Sequence, residues 1–437
     1  MILGVIGIGY VGLSTAVSFA GLNYKVVCYD TNPEKCLCVQ REQSPFFEPE
    51  LDDMLKSHIV KSNLSVAQDA AELIRRCDVI MVAVGTPSRE DGSADLSYVD
   101  AVMLQIEDVL VKDDVPCEKI VLLRSTVPVG TTSNYQSFFS ACFEGTDIKV
   151  SVAFNAEFLR EGSAVHDFLN PDRIVIGAET PEITLKIKSL YTNFFNRGIP
   201  VICTNPSSAE IIKYASNIYL SAKIAIINEI ADVAEEFNGR IGDIAVAVGL
   251  DKRIGSEFLK ASPGYGGSCF KKDLDSFSYL AGAYGFNDLL ISKINQSNDN
   301  HILRTTNKIV EIVKTAKKIA VLGTAFKAGT DDLRESVPVK IIRNLLGRGY
   351  ELTVHDPEAL ANTRAVFGDS LRYGDDVYST VSGAQTTLIL TEWQDYAGAD
   401  YAEIKRKMKG NILIDLRNVL QRNAMELIGF KYYGIAN

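Results

Sequence analysis

The chain opens on "MILGVIGIGYVG", an apolar run rich in β-branched residues that holds Gly7, Gly9 and Gly12 in the spacing G-x-G-x-x-G. No other feature restricts the fold as much. A strand that ends on this spacing and passes directly into a helix turns tightly at the first glycine. It lets the backbone approach a pyrophosphate at the second and packs helix on strand at the third. The helix start, Tyr10 and Val11, offers unpaired N–H groups to phosphate. Asp30 closes the next strand-like run, "KVVCYD", where an acid accepts from an adenosine ribose hydroxyl and repels a 2′-phosphate. The pattern predicts a dinucleotide site with NAD favoured over NADP, and Lys35 just beyond Asp30 bears on that preference. A turn built on structural glycines is the weaker alternative.

The same alternation continues. "DVIMVAVGT", "KIVLLRSTV", "KVSVAFNAEF" and "DRIVIGA" are short and apolar on both faces, and helical stretches separate them, as in a parallel sheet covered on each side. This predicts a doubly wound domain over residues 1–205. At "TNPSSAE" the pattern changes to a long helix from Ala209 to about Phe237, with the Pro-Ser-Ser turn as N-cap and Asn238-Gly239 as its close. Only Lys223 is charged between Tyr214 and Asn228, so much of this helix is expected to be buried. With residues 288–314 it makes an all-helical segment over 206–314, suited to a hinge or a dimer interface. Strands return at "KKIAVLGTAF", followed by "YELTVHDP", "TTLILTEW" and "NILIDLRNV". The fold class expected is α/β: two Rossmann-like doubly wound domains, the second over 315–437, joined by a long-helix central domain.

A net charge of −10 without a basic block argues against nucleic acid as a partner. No apolar run approaches the roughly 18 residues that span a bilayer. The first residues lack the order of a signal peptide, so a cytoplasmic location is expected. Eight cysteines without a secretion signal predict free thiols, seven of them small buried or half-buried residues. With four histidines and no ligand spacing, no metal is expected.

Three stretches carry reactive groups. Lys213 and Asn217, four apart, share a helix face on which an ammonium and a carboxamide can hold an alkoxide, although a solvated lysine is the commoner arrangement. "FNAEFLREG" places Glu157 and Glu161 just beyond an apolar strand, at the edge where α/β sheets bind ligands, as candidates for acid–base work or a ribose contact. "SPGYGGSCFKKD" sets Cys269 behind a glycine turn and before Lys271, Lys272 and Asp273. A thiol at a helix start among lysines is expected to have a lowered pKa, with a structural cysteine as the alternative. Beside a nicotinamide it permits two oxidations in one site: alcohol to aldehyde, thiohemiacetal to thioester, then hydrolysis to a carboxylate.

Together with "SPFFEPELDDML", "VGTPSREDGSADLSYV", "RSTVPVGTT", "NAEFLREGSAVHDFLNPDRIVIG", "IKYASN", "RIGSEFLKASPGYGGSCFKKD" and "AFKAGTDDLRES", in order along nearly the whole chain, these pieces resemble the nucleotide-sugar 6-dehydrogenase family. The resemblance implies oxidation of a nucleotide-bound hexose to the uronic acid with two NAD. It implies Cys269 as nucleophile, Lys213 and Asn217 at the oxyanion, Asp273 supporting water and lysine, and Glu157 as acid–base in thioester hydrolysis. Thr126 positions water or cofactor, while Glu161, Arg334 and Thr86 join the glycine turn around NAD. Substrate contacts fall to Glu157, Phe158, Leu159, Arg160, Glu161, Lys213, Asn217, Arg253, the loop from Lys260 through Tyr265 to Gly266, Phe326, Lys327 and Arg417. The family further implies a homodimer or larger homo-oligomer built on the long helices, with the C-terminal domain binding the nucleotide. Ala156 and Lys271 stand where the family usually has proline. UDP-glucose is the sugar favoured by "RIGSEFLKASPGYGGSC", with GDP-mannose and UDP-N-acetylhexosamine as alternatives. A two-electron β-hydroxyacid dehydrogenase needs neither Cys269 nor a second α/β domain. An NAD-binding scaffold without turnover needs no catalytic set.

Overall fold

A computed structural model describes residues 1–314 and 316–437. The chain divides into two compact units, Met1–Ser216 with Asp275–Gly285, and Asn217–Leu274 with Phe286–Asn437.

The first unit is built on an eight-stranded sheet. Its strands are β1 (Ile2–Ile6), β2 (Lys25–Tyr29), β3 (Leu64–Val66), β4 (Val79–Val82), β5 (Cys117–Leu123), β6 (Ile148–Phe154), β7 (Ile174–Gly177) and β8 (Val201–Thr204). They lie in the order β3-β2-β1-β4-β5-β6-β7-β8. The first six are parallel and doubly wound. Alternating side chains feed two cores: Val79 and Met81 join one apolar cluster, Ile80 and Val82 the other. The expectation of a wholly parallel sheet is corrected at β7, which pairs antiparallel to β6 through Phe154 and Gly177. The intervening chain, residues 155–173, contains the short helix Ala164–Leu169.

The second unit carries a six-stranded parallel sheet. Its strands are β9 (Lys318–Leu322), β10 (Glu351–His355), β11 (Arg372–Tyr373), β12 (Thr386–Ile389), β13 (Ile412–Asp415) and β14 (Lys431–Gly434). The order β11-β10-β9-β12-β13-β14 repeats that of the first six strands of the first sheet. The turn device is repeated as well. The Gly7 N–H donates to the Tyr29 carbonyl at 2.8 Å, and the Ile8 N–H to Asp30 Oδ2 at 2.7 Å. After β9 the Gly323 N–H donates to the His355 carbonyl at 2.8 Å, and the Thr324 N–H to Asp356 Oδ2 at 2.7 Å. Asp356 also accepts from the N–H groups of Ala325, Glu358 and Ala359, so four backbone donors converge on one buried carboxylate.

The long helix runs from Pro206 to Glu236, and its first-turn Ser208 N–H is capped by the Asn205 side chain at 2.8 Å rather than by the Pro-Ser-Ser turn. Its apolar residues do not all go inside. Tyr219, Ile226, Ile230 and Val233 form an exposed stripe at helical spacing, with Tyr219 75% exposed. Burial inferred from the scarcity of charge thus fails for this face within one chain. Among the cysteines, Cys142 and Cys203 are exposed rather than buried or half-buried, the one at a helix end and the other on an edge strand.

Candidate active site

Each glycine of the first turn meets a different demand. Gly7 has φ +102°, and a Cβ added there would lie 2.6 Å from the Ala83 carbonyl oxygen. A Cβ on Gly12 would lie 1.8 Å from the carbonyl oxygen of Gly7. A Cβ added at Gly9 would meet nothing within 4 Å, which leaves room for a ligand beside its backbone. The helix Tyr10–Gly21 starts there with no acid in its first turn, so its positive end is available to phosphate. Val11 is half-buried in that turn, and the Tyr10 ring packs on Phe46 with centroids 4.0 Å apart. Asp30 also accepts from the Asn32 N–H at 2.9 Å and from Lys35 Nζ at 3.3 Å. Lys35 therefore sets a positive charge beside the Asp30 carboxylate. Thr86 Oγ1 donates to the Thr126 carbonyl at 2.9 Å, tying together the loops after β4 and β5. These residues fit a dinucleotide.

Beyond β6 the chain is irregular, and Glu157 turns inward. Both Glu157 and Lys213 are buried. Lys213 Nζ donates to Glu157 Oε1 at 2.8 Å and to its main-chain carbonyl at 2.7 Å, while the Leu159 N–H donates to Oε2 at 2.8 Å. Burial pushes the Glu157 carboxyl up, but the charge and hydrogen bond of Lys213 and the Leu159 N–H outweigh it and hold it below the ordinary carboxylate range. Lys213 is thus not the solvated lysine that its helix position alone suggests. Phe158 lies under the Arg173 guanidinium, 3.7 Å from the ring centroid, with Lys213 Nζ at 5.5 Å. Leu159 and Glu161 are half-buried, and the exposed Arg160 forks onto Asp167.

In the second unit Cys269 is exposed immediately before the helix Phe270–Ala283, whose first turn is closed by the Asp273 N–H donating to the Cys269 carbonyl at 2.9 Å. Asp273 is buried. Its Oδ2 accepts from Asn217 Nδ2 and its Oδ1 from Lys272 Nζ, both at 2.6 Å. Tyr265 is buried as well, and a Cβ on Gly266 would meet the Glu335 carbonyl at 2.5 Å. Arg417 Nε donates to the Leu390 carbonyl at 2.7 Å, and its terminal nitrogen donates to the Phe326 carbonyl at 3.2 Å. Lys327 Nζ lies 5.7 Å from the Phe326 ring centroid, and Arg334 forks onto Asp332. Arg253, paired with Asp251, and Lys260 are exposed. Three groups of expected residues are therefore brought together: the glycine turn with Asp30 and Lys35, Lys213 with Glu157 and Phe158, and Asn217 with Asp273. Arg173 and the role of Lys272 as a partner of Asp273 are not foreseen from sequence. The adjacency of Lys272 and Asp273 was the available clue.

Models of the UDP-glucose/GDP-mannose dehydrogenase family match three successive segments: the NAD binding domain over residues 1–195, the central domain over 207–300 and the UDP binding domain over 320–422. A UDP-glucose 6-dehydrogenase of Rhizobium meliloti is 37% identical, the match covering 98% of each chain. The chain belongs to the UDP-glucose/GDP-mannose dehydrogenase family. Among solved structures, a UDP-glucose dehydrogenase from Pyrobaculum islandicum superposes with a TM-score of 0.87 at 36% identity, over 100% of this chain and 97% of the other. A UDP-D-ManNAc dehydrogenase from Pyrococcus horikoshii gives 0.83 at 26% identity, over 100% and 99%.

Proposed function

We propose that this family member is an NAD-dependent UDP-glucose 6-dehydrogenase that oxidises UDP-glucose to UDP-glucuronate through a covalent thioester on Cys269. NAD, held at the glycine turn with Asp30, Lys35, Thr86, Thr126, Glu161 and Arg334, supplies the hydride acceptor for each of two successive oxidations. The sugar C6 alcohol loses a hydride and a proton to become the aldehyde. The Cys269 thiolate adds to that carbonyl, giving a thiohemiacetal whose alkoxide is stabilised by the Lys213 ammonium and the Asn217 carboxamide. Loss of a second hydride leaves the thioester. Water then attacks it, with Glu157 as the acid–base group and Asp273 supporting the water, and releases the carboxylate and the free thiol. The remaining expected substrate residues, from Phe158 to Arg417, hold the nucleotide sugar.

What supports this reading most is the exposed thiol at the head of a helix whose first turn buries Asp273 against Asn217 and Lys272. A plain alcohol dehydrogenase has no use for that arrangement. Identity of 37% and 36% to proteins named for UDP-glucose, against 26% to one named for UDP-D-ManNAc, favours glucose as the hexose. The domains proposed are 1–205 for NAD, 206–314 for assembly and 315–437 for UDP. The exposed stripe of the long helix favours a homodimer, and no helix among the described residues is long and apolar enough to cross a membrane. We assign the protein to the cytoplasm. The test is NADH formed per UDP-glucose with sugar limiting. Two per sugar, with uronate as product, supports the proposal, and one per sugar refutes the thioester route.

A further inference from the structure

The loop from Ser262 to Cys269 is held by polar side chains on two helices. Asn228 and Asp232 come from the helix Pro206–Glu236, and Asn295, Asn298 and His301 from the helix Leu290–Val313. Asn228 Oδ1 accepts from the Ser262 N–H at 2.9 Å. Asn298 clamps one residue at two points, accepting from the Tyr265 N–H at 2.9 Å and donating to its carbonyl at 3.0 Å. Asn295 Oδ1 accepts from the Tyr265 hydroxyl at 2.6 Å. Asn228, Asn298 and His301 are all buried. Asparagine is a poor helix former in mid-helix, so its use here calls for side-chain partners such as these.

His301 is the most demanding member. Its Nε2 lies 2.8 Å from the Ser262 carbonyl oxygen, and its Nδ1 lies 2.9 Å from Asp232 Oδ1. Both partners only accept hydrogen bonds. A neutral imidazole, with one N–H, serves one of them; an imidazolium serves both. The charged groups recorded around it are Asp232 and, through that carboxylate, Arg304, whose Nε donates to Asp232 Oδ2 at 2.7 Å. The Thr305 hydroxyl is 3.5 Å from Nε2.

We propose that His301, backed by Asp232, is a positioning residue that fixes Ser262 and through it the glycine loop leading to Cys269. The inference rests on the reading of Cys269 as nucleophile. It adds that the loop is set by a hydrogen-bonded histidine–aspartate pair away from the reacting atoms. A carboxamide in place of Asp232 can donate to one ring nitrogen while the other N–H still serves Ser262, so that exchange disturbs the loop less than loss of the imidazole does.

The experiment compares wild type, His301→Gln and Asp232→Asn. It reads kcat and KM for UDP-glucose, Kd for NAD, and the rate of Cys269 alkylation by iodoacetamide, resolved by peptide mass spectrometry. His301→Gln is expected to lower kcat/KM for the sugar about tenfold, to change the Cys269 alkylation rate severalfold, and to leave the Kd for NAD unchanged. Asp232→Asn is expected to retain a larger share of kcat/KM. Equal kinetics and equal alkylation in wild type and His301→Gln overturn the proposal, as does a His301→Gln loss matched in full by Asp232→Asn. If His301→Gln does not fold, Asp232→Asn beside Arg304→Gln decides: an alkylation rate further from wild type than that of Arg304→Gln supports the proposal, and a rate no further from wild type overturns it. A wild type that consumes no UDP-glucose refutes the proposed substrate instead, and the alkylation comparison still judges the loop.

Discussion

The glycine turn permits a prediction in which two neighbouring substitutions of the same kind act on different properties. In Gly12→Ala the new methyl would lie 1.8 Å from the Gly7 carbonyl oxygen, where real Cβ atoms essentially never come within 3.0 Å. Helix and turn must separate by about an ångström, and an overpacked core site costs up to about 3 kcal/mol. For a unit of this size that lowers Tm by roughly 6–12 °C. In Gly9→Ala the methyl meets nothing within 4 Å, and φ is −105°, which alanine adopts without strain. Apo stability should therefore hold, or rise by about 0.4–1 kcal/mol through the unfolded chain. On the proposed NAD site, the methyl instead occupies the approach to the pyrophosphate. Wild type at a hundredfold excess over Kd gains about 2.7 kcal/mol from NAD. A tenfold weaker Kd halves that gain to about 1.4 kcal/mol. Thermal melts with and without NAD measure both quantities. The reasoning is refuted if Gly12→Ala melts with wild type, or if Gly9→Ala melts early and still responds fully to NAD.

Three further outcomes are expected. Cys269→Ser should lose about 10³-fold or more in uronate formation with Kd for NAD unaltered, by coupled absorbance and calorimetry; retained turnover would remove the thiol from the mechanism. The carboxyl of Glu157 titrates below its unfolded value, so its contribution to stability is full above roughly pH 4.3 and disappears as pH falls through the folded value. Glu157→Gln, which strands the Lys213 ammonium, should then cost about 3 kcal/mol near neutrality, with the gap to wild type closing in acid; a gap constant from pH 7 to 3 contradicts the buried pair. Val233→Glu, on the exposed stripe, should shift the mass in light scattering from dimer to monomer, and an unchanged mass would place any assembly elsewhere.

The strands in the middle of each sheet are legible because burial on both faces forces unbroken apolar runs, as in "VIMV" and "KIAVL". The edge strands β3, β8, β11 and β14 are not. They have two to four residues, and β8 has mostly exposed or half-buried positions, so no hydrophobic period develops. The same division runs through the site. The glycine turn, Asp30 and the Cys269 stretch are local patterns. Lys213 reads as an ordinary surface lysine until the fold brings Glu157, 56 positions earlier, against it. His301 and Asp232 lie 69 positions apart on two different helices, and no local pattern joins them.

The paired turns after β1 and β9 differ in how much hydrogen-bonding capacity their acids keep. A carboxylate has about four acceptor sites, and Asp356 has all of them committed to main-chain N–H groups. Asp30 gives two to the main chain and one to a lysine that is itself part-exposed. A ribose arriving at the first turn finds an acid with valence to spare; one arriving at the second finds it saturated. Two halves of like topology thus carry the same carboxylate for different purposes, and a ligand of the second half has to be recognised by cationic and main-chain groups, because the acid at its switch point serves only to hold the turn.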